Sequence, residues 1–228
     1  GNGKTKTRKA GELLHPERES KAVLDHIKDE IGSLKFSAQY QQQPVSAEGN
    51  LVSKSWIRWY ESAPDLGQGQ IVQSWDVATT TGMTNDWSVC TTWLMARRSY
   101  YLLDVWRGKL EFPLLKRKLI ELAHHHEPNR ILIERAGAGI PLLQEFALNP
   151  VPRVPMPLGI TPEGDKIVRM EAQCARFEAG QVYLPKEAPW LSEFLREILT
   201  FPSGRHDDQV DSVSQFLNWA ELCSARPR

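Results

Sequence analysis

Cysteine is scarce: three residues in 228, Cys90, Cys174 and Cys223, far apart and without a Cys-x-x-Cys pair. That excludes a disulfide framework and a cysteine zinc site, and it fits a reducing compartment. No apolar run reaches the roughly 18 residues of a membrane span and no secretory pattern opens the chain, so a soluble, cytosolic protein is expected. Neither sign of charge is in excess. Lys plus Arg and Asp plus Glu number 28 each, which removes the strongly basic balance usual in nucleic-acid binders. A neutral total still permits cations gathered on one face beside an acidic site. Internal repeats are absent, and so is a complete phosphate-binding loop: Gly3-Lys4-Thr5 lacks the earlier glycine, the preceding strand and the following helix. The chain opens on Gly1 and not Met, which marks either a laboratory-made piece or a fragment of something longer.

What is present is enough apolar content, 41%, for one good-sized core or a domain with an appendage. Apolar positions from Val23 to Leu34 fall at helical spacing, closed by Gly32 or just beyond. Residues 36–60 show little periodicity and read as a connecting arm, with the main domain boundary at the turn-rich stretch Asp65–Gly69. Beyond it, residues 70–78, 87–96 and 100–106 read as three closely joined strands, an antiparallel meander. A helix over 113–126 follows, then the apolar strand 130–134 typical of a buried parallel strand, then a helix over 141–146. Residues 151–157, with three prolines, read as an edge strand or extended loop. Helices over 166–178, 190–199 and 207–222 complete the chain, with a short extended piece at 182–184.

A carboxylate at a strand end, beside a glycine-bearing turn, is held by a rigid element yet lies at the rim of the sheet. Asp76 follows Ile71-Val72 and Trp75, and Glu134 closes Ile131-Leu132-Ile133. The cluster His206-Asp207-Asp208-Gln209-Val210-Asp211 opens the last helix, where Asp211 shares a face with Asp207 and Asp208. Helix capping and the helix dipole account for one or two of these acids on structural grounds alone. Convergent carboxylates repel one another and are driven to protonate unless a cation joins them. Mg²⁺ and Mn²⁺ suit such hard oxygen ligands, and two such ions, about 3.5–4 Å apart, serve phosphodiester hydrolysis.

Other residues admit two readings each. Lys166 and Arg169, one helical turn apart, are phosphate contacts or partners of Glu163 and Glu171. Arg107 and Lys109 belong with Arg97, Arg98, Lys116, Arg117 and Lys118 to a local excess of cations that would hold a DNA backbone. For the last three a solvated helix face serves equally. Asp86 and His206 are supporting candidates, against plain roles in a turn and a loop. Asp104 is either a buried paired acid or an exposed edge charge. His124, His125 and His126 point about 100° apart on a helix and cannot all bind one ion.

Together, Trp75-Asp76-Val77-Ala78, Asn85-Asp86-Trp87-Ser88, Ile133-Glu134-Arg135-Ala136-Gly137 and the acidic cluster 206–211 resemble, in their order, the C-terminal nuclease domain of the large terminase subunit of tailed bacteriophages. The segment 36–44, Lys166-Ile167-Val168-Arg169 and the stretch from Phe177 to Pro185 are similar to the same family, so that the resemblance covers residues 36–222. It implies an α/β, ribonuclease-H-like fold: a mixed sheet, a three-stranded antiparallel meander plus parallel strands, flanked by helices. It implies an endonuclease that cuts concatemeric double-stranded viral DNA when packaging starts and when the head is full. Two Mg²⁺ or Mn²⁺ ions are implied, held by Asp76, Glu134 and an acid of the last cluster. Asp208 is the first choice for that acid, with Asp207 capping or orienting and Asp211 a ligand or a supporting residue.

The implied partners are double-stranded DNA, an ATPase motor, the portal and the small terminase subunit, in the host cytoplasm and without a membrane. The family's motor sequence is missing, so the motor was removed or the nuclease is a separate polypeptide. Residues 1–66 are then a tail, helix and arm toward the motor, and 67–228 the nuclease domain. The alternatives are a junction resolvase, an RNA–DNA hybrid nuclease, or a non-cutting docking module for the portal or motor.

Overall fold

The computed structural model describes residues 18–40, 50–65, 67, 69–78 and 87–225. Asp86, the Gly3–Thr5 tripeptide and residues 41–44 of the Gln-rich segment lie outside them. The chain forms two compact units, Gly1–Pro44 and Val45–Arg228. In the first, helix α1 (Lys21–Tyr40) is interrupted at Gly32, with φ 80° and ψ 158°, a conformation that costs glycine little. The helix expected to end near Gly32 therefore kinks and resumes. Residues 36–40, expected in an irregular arm, are helical, and Phe36 stacks on Tyr40 at 4.9 Å.

The second unit is built on seven strands among the described residues, in the order β1-β7-β4-β3-β2-β5-β6. They are β1 (Arg58–Tyr60), β2 (Gln70–Asp76), β3 (Ser88–Ala96), β4 (Ser99–Gly108), β5 (Arg130–Glu134), β6 (Leu158–Ile160) and β7 (Val182–Pro185). β2, β3 and β4 form the expected antiparallel meander, and every other pairing is parallel. The helices are α2 (Phe112–His126), α3 (Gly139–Leu148), α4 (Lys166–Glu178), α5 (Leu191–Thr200) and α6 (Asp208–Ala225).

Three differences from expectation have local causes. Residues 58–60 extend the sheet beside β7, and Leu51, Val52 and Ile57 before them are buried, with Leu51 N–H donating to the Phe201 carbonyl. The break at 65–69 thus falls inside the second unit. The edge strand expected over 151–157 forms just after it, at Leu158–Ile160. Pro152, Pro155 and Pro157 lack the N–H a ladder needs, and pairing with β5 starts after the last of them. The short extended piece expected at 182–184 is strand β7, one residue longer, paired on both sides by β1 and β4.

Strand alternation sorts the sheet into two faces. Trp75, Cys90, Ile131 and Ile133 pack with Leu115, Leu119, Leu122 and Ala123 of α2 and Leu142 and Phe146 of α3. On the opposite face, Trp93 stacks on Phe216 of α6 at 4.7 Å, and Tyr100 meets the same ring edge-on. Val210, Val213, Phe216, Leu217 and Ala220 bury α6 along that face. Each large apolar side chain so buried stabilises the fold by about 1.5–3 kcal/mol. Asp76 and Glu134 alternate with Trp75 and Ile133, so both face the α6 side.

Candidate metal centre

Asp76 is the last residue of β2 and Glu134 the last of β5. The two strands are parallel neighbours with Trp75 opposite Ile133, which brings the carboxylates side by side at one rim. The third element is the first turn of α6, which contains Asp208 and Asp211; Asp207 precedes it, its carbonyl accepting from Asp211 N–H at 3.0 Å. α6 is seated by hydrogen bonds between Ser212 and Ser74, two residues before Asp76.

The electrostatics ranks the cluster. Burial pushes the Asp76 carboxyl well above the ordinary 3.8, followed by the charges of Asp211, Glu134 and Asp208, while Lys166 acts in the opposite sense. Glu134 is also raised, by burial first; Arg169 and Lys166 lower it and Asp211 raises it. Asp211 is therefore the acid of the cluster that acts on both strand-end carboxylates. Asp208 acts on Asp76, and Asp207 is turned to Lys166 at 2.6 Å.

Two cations from α4 enter the same site. Asp165 caps that helix, its carboxylate accepting from Val168 N–H at 2.9 Å. Lys166 and Arg169 then project from the first turn toward α6. Arg169 Nη2 donates to Asp211 at 2.7 Å, and Lys166 Nζ lies 3.4 Å from the other Asp211 oxygen. Burial alone would lower the Lys166 amine, but its bond to Asp207 and the charge of Asp211 carry it above 10.5. The alternative partners Glu163 and Glu171 are not the ones these cations bond.

Among the described residues no three His, Cys, Asp or Glu side chains form a ready metal cage. The chemistry of the donor set nevertheless fits a divalent cation. It is all carboxylate, partly desolvated, and its members oppose one another's ionisation, which an added cation would relieve.

The remaining candidates separate. Arg107 is nine-tenths buried, ion-paired to Glu193 and 3.7 Å from Asp208, with its guanidinium over the Trp87 ring at 4.4 Å. Lys109, exposed, lies over the same ring at 4.9 Å. Lys116 pairs with Glu145 and Lys118 with Glu121. Asp104 is a paired acid, 3.1 Å from His126, whereas His124 turns to the Pro152 carbonyl. His206 lies in the turn before α6, partly buried. Sequence reasoning missed Glu193, Glu197 and Gln209 around the α6 turn; a Glu at the buried 197 position of an otherwise apolar helix face was the available signal.

An antiparallel meander continued by parallel strands, with strand-end acids on β2 and β5 and more on the last helix, is a ribonuclease-H-like domain. The terminase RNaseH-like domain family matches residues 73–219, and the chain belongs to that family. Among solved structures it is similar to the large terminase of a thermophilic bacteriophage in complex with ADP, with TM-score 0.67 and 12% identity over 89% of this chain and 52% of that one. The chain thus spans about half of that protein. It is similar to the large terminase nuclease of thermophilic phage G20c with bound zinc, with TM-score 0.55 and 14% identity over 78% of this chain and 99% of that one. The nuclease domain of the bacteriophage SPP1 large terminase with bound Mn gives TM-score 0.53 and 15% identity over 74% and 99%. No curated protein matches the chain. Among the described residues no helix is long and apolar enough to cross a membrane.

Proposed function

We propose that the chain is the cutting part of a viral genome-packaging machine, a metal-dependent endonuclease acting on concatemeric double-stranded DNA. The observation that carries this reading is the meeting of Asp76, Glu134 and Asp211 from three separate elements, with Lys166 and Arg169 set among them. Capping and surface acidity account for acids on one helix turn. They do not account for strand-end carboxylates beneath that turn whose ionisation it opposes.

Asp76, Glu134 and Asp211 would hold the metal, Mg²⁺ or Mn²⁺ and two ions in all, with Asp208 completing the set. The bound Mn and zinc of the SPP1 and G20c structures support a divalent ion here. When bound, the ions supply activation of the attacking water and stabilisation of the leaving oxygen. The chain's own residues fix the ligand oxygens at a rigid rim. Lys166 and Arg169 exchange Asp207 and Asp211 for phosphate oxygens, and Lys109 holds the flanking backbone. His206 supports the cluster. Residues 1–66 lead toward an ATPase motor, of which residues 50–60 pack with the nuclease sheet. The portal and the small terminase subunit are the further partners, in the host cytoplasm.

Asp76→Asn and Glu134→Gln should each abolish Mn²⁺-dependent plasmid cutting without lowering the melting temperature. Undiminished cutting by both would overturn the assignment. An RNA–DNA hybrid or four-way junction cut far faster than duplex would replace it with another ribonuclease-H-like activity.

A further inference from the structure

We propose that helix α5 sets the position of the acidic first turn of α6 through two carboxylates, Glu197 and Glu193, which act as positioning residues for the metal centre. This rests on the metal reading above. Glu197 is 5% exposed, and both of its oxygens are taken by one residue of that turn. Oε1 accepts the Gln209 backbone N–H at 2.6 Å, and Oε2 accepts the Gln209 side-chain amide at 2.6 Å. A buried carboxylate is costly unless it is hydrogen-bonded. Here it is held by a first-turn N–H that has no partner within its own helix, and by the positive end of the helix dipole. The bond is therefore directed at one end of one helix, at the residue next to Asp208 and two before Asp211.

Glu193 stands one turn earlier on α5, on the same side as Glu197. It is ion-paired to Arg107, whose Nη2 lies 3.7 Å from Asp208 Oδ2. Arg107 is held by the Glu193 ion pair and by stacking of its guanidinium on Trp87, with only a tenth of its side chain exposed. Such a side chain is closed to a DNA phosphate and serves Asp208 through charge. Two arms of one helix thus reach the same turn, one to its backbone and one, through Arg107, to its first carboxylate. Ligand oxygens must be held within about 0.5 Å of productive geometry, and outer contacts of this kind tune metal affinity.

The test is Mn²⁺ binding to the full chain by calorimetry, with the Mn²⁺ needed for half-maximal plasmid cutting measured beside it. Glu197→Ala should weaken Mn²⁺ binding roughly tenfold or more, and Glu193→Ala by less. Glu197→Gln should recover part of the loss, because its amide oxygen still accepts the Gln209 N–H. Ile198→Val, a buried apolar change on the same helix, should lower the melting temperature and leave Mn²⁺ affinity alone. Wild-type affinity in Glu197→Ala, or an equal shift in Ile198→Val, overturns the positioning role by itself. If the unaltered chain takes up no Mn²⁺, the metal reading falls and this inference with it. Should Glu197→Ala fail to fold, Glu197→Gln and Glu193→Ala decide: unchanged Mn²⁺ affinity in both overturns the role.

Discussion

Ser74 on β2 and Ser212 on α6 exchange hydrogen bonds, each hydroxyl donating to the other's backbone carbonyl at 2.8 Å. Thr91 Oγ1 lies 2.7 Å from the Ser212 hydroxyl and accepts from Trp93 Nε1, while Gln215 Nε2 donates to Ser74 Oγ at 2.9 Å. The network is buried, and it fixes both how far along β2 the helix sits and how it is rotated. Ser212→Ala would leave the Ser74 carbonyl and the Thr91 hydroxyl short of a partner. Unsatisfied buried groups cost about 1–3 kcal/mol each. The urea midpoint should fall by a corresponding amount with an unchanged slope, since the surface exposed on unfolding stays the same. A midpoint equal to wild type would show that the network is dispensable.

The raised carboxyls of Asp76 and Glu134 give the metal-free protein a defined pH response. Each binds its proton more tightly folded than unfolded, so the native state carries more protons above the ordinary values of 3.8 and 4.5. Stability from these groups is fully present below those values and is lost as pH rises through the folded ones. In chelator, the melting temperature should fall as pH rises through this window, and Asp76→Asn should flatten the curve. Added Mn²⁺ should reverse the trend, because it binds the ionised carboxylates. A wild-type curve in chelator that runs parallel to the Asp76→Asn curve would contradict the coupling.

The strand-end placement of Asp76 and Glu134 was legible because two-residue alternation and a terminal carboxylate are both local patterns. The way Asp207, Asp208 and Asp211 are turned was not, because it depends on the rotation of α6, which Ser74, Thr91 and Ser212 set from the sheet. Strand β1 escaped for a similar reason. Three residues, Arg58-Trp59-Tyr60, carry no measurable period, and their strand state comes from pairing with β7, more than a hundred residues away. Arg107 had the right charge for DNA contact, but nothing local marks it as buried between Trp87, Glu193 and Asp208.

Gly139 opens α3 directly behind the Glu134 carbonyl. A Cβ there would come within 2.1 Å of Glu134 O and 3.1 Å of Ile133 Cγ2. Backbone cannot swing aside as a side chain does, so Gly139→Ala must displace either α3 or the strand end. Overpacking of this kind costs about 1–3 kcal/mol, to be read from the urea midpoint. Because the obstacle is the backbone of Glu134 itself, Mn²⁺ affinity should fall together with stability. At Gly67 the nearest atom to an added Cβ is 3.5 Å away, and Gly67→Ala should leave both unchanged. Wild-type stability and affinity in Gly139→Ala would contradict the close approach.

Lys166 and Arg169 face acids in this structure, whereas the function proposed above has them meet phosphate, and the two roles separate by salt. A cation that neutralises one phosphate releases condensed counterions and adds about 0.9 to the slope of log affinity against log salt. Duplex binding should be measured by fluorescence anisotropy in the Asp76→Asn background, where cutting is expected to be blocked. Arg169→Ala and Lys166→Ala should each weaken binding and reduce that slope by roughly one. If the slope is unchanged and only the melting temperature falls, the two cations serve Asp207 and Asp211 alone. The phosphate contacts must then come from exposed residues such as Lys109.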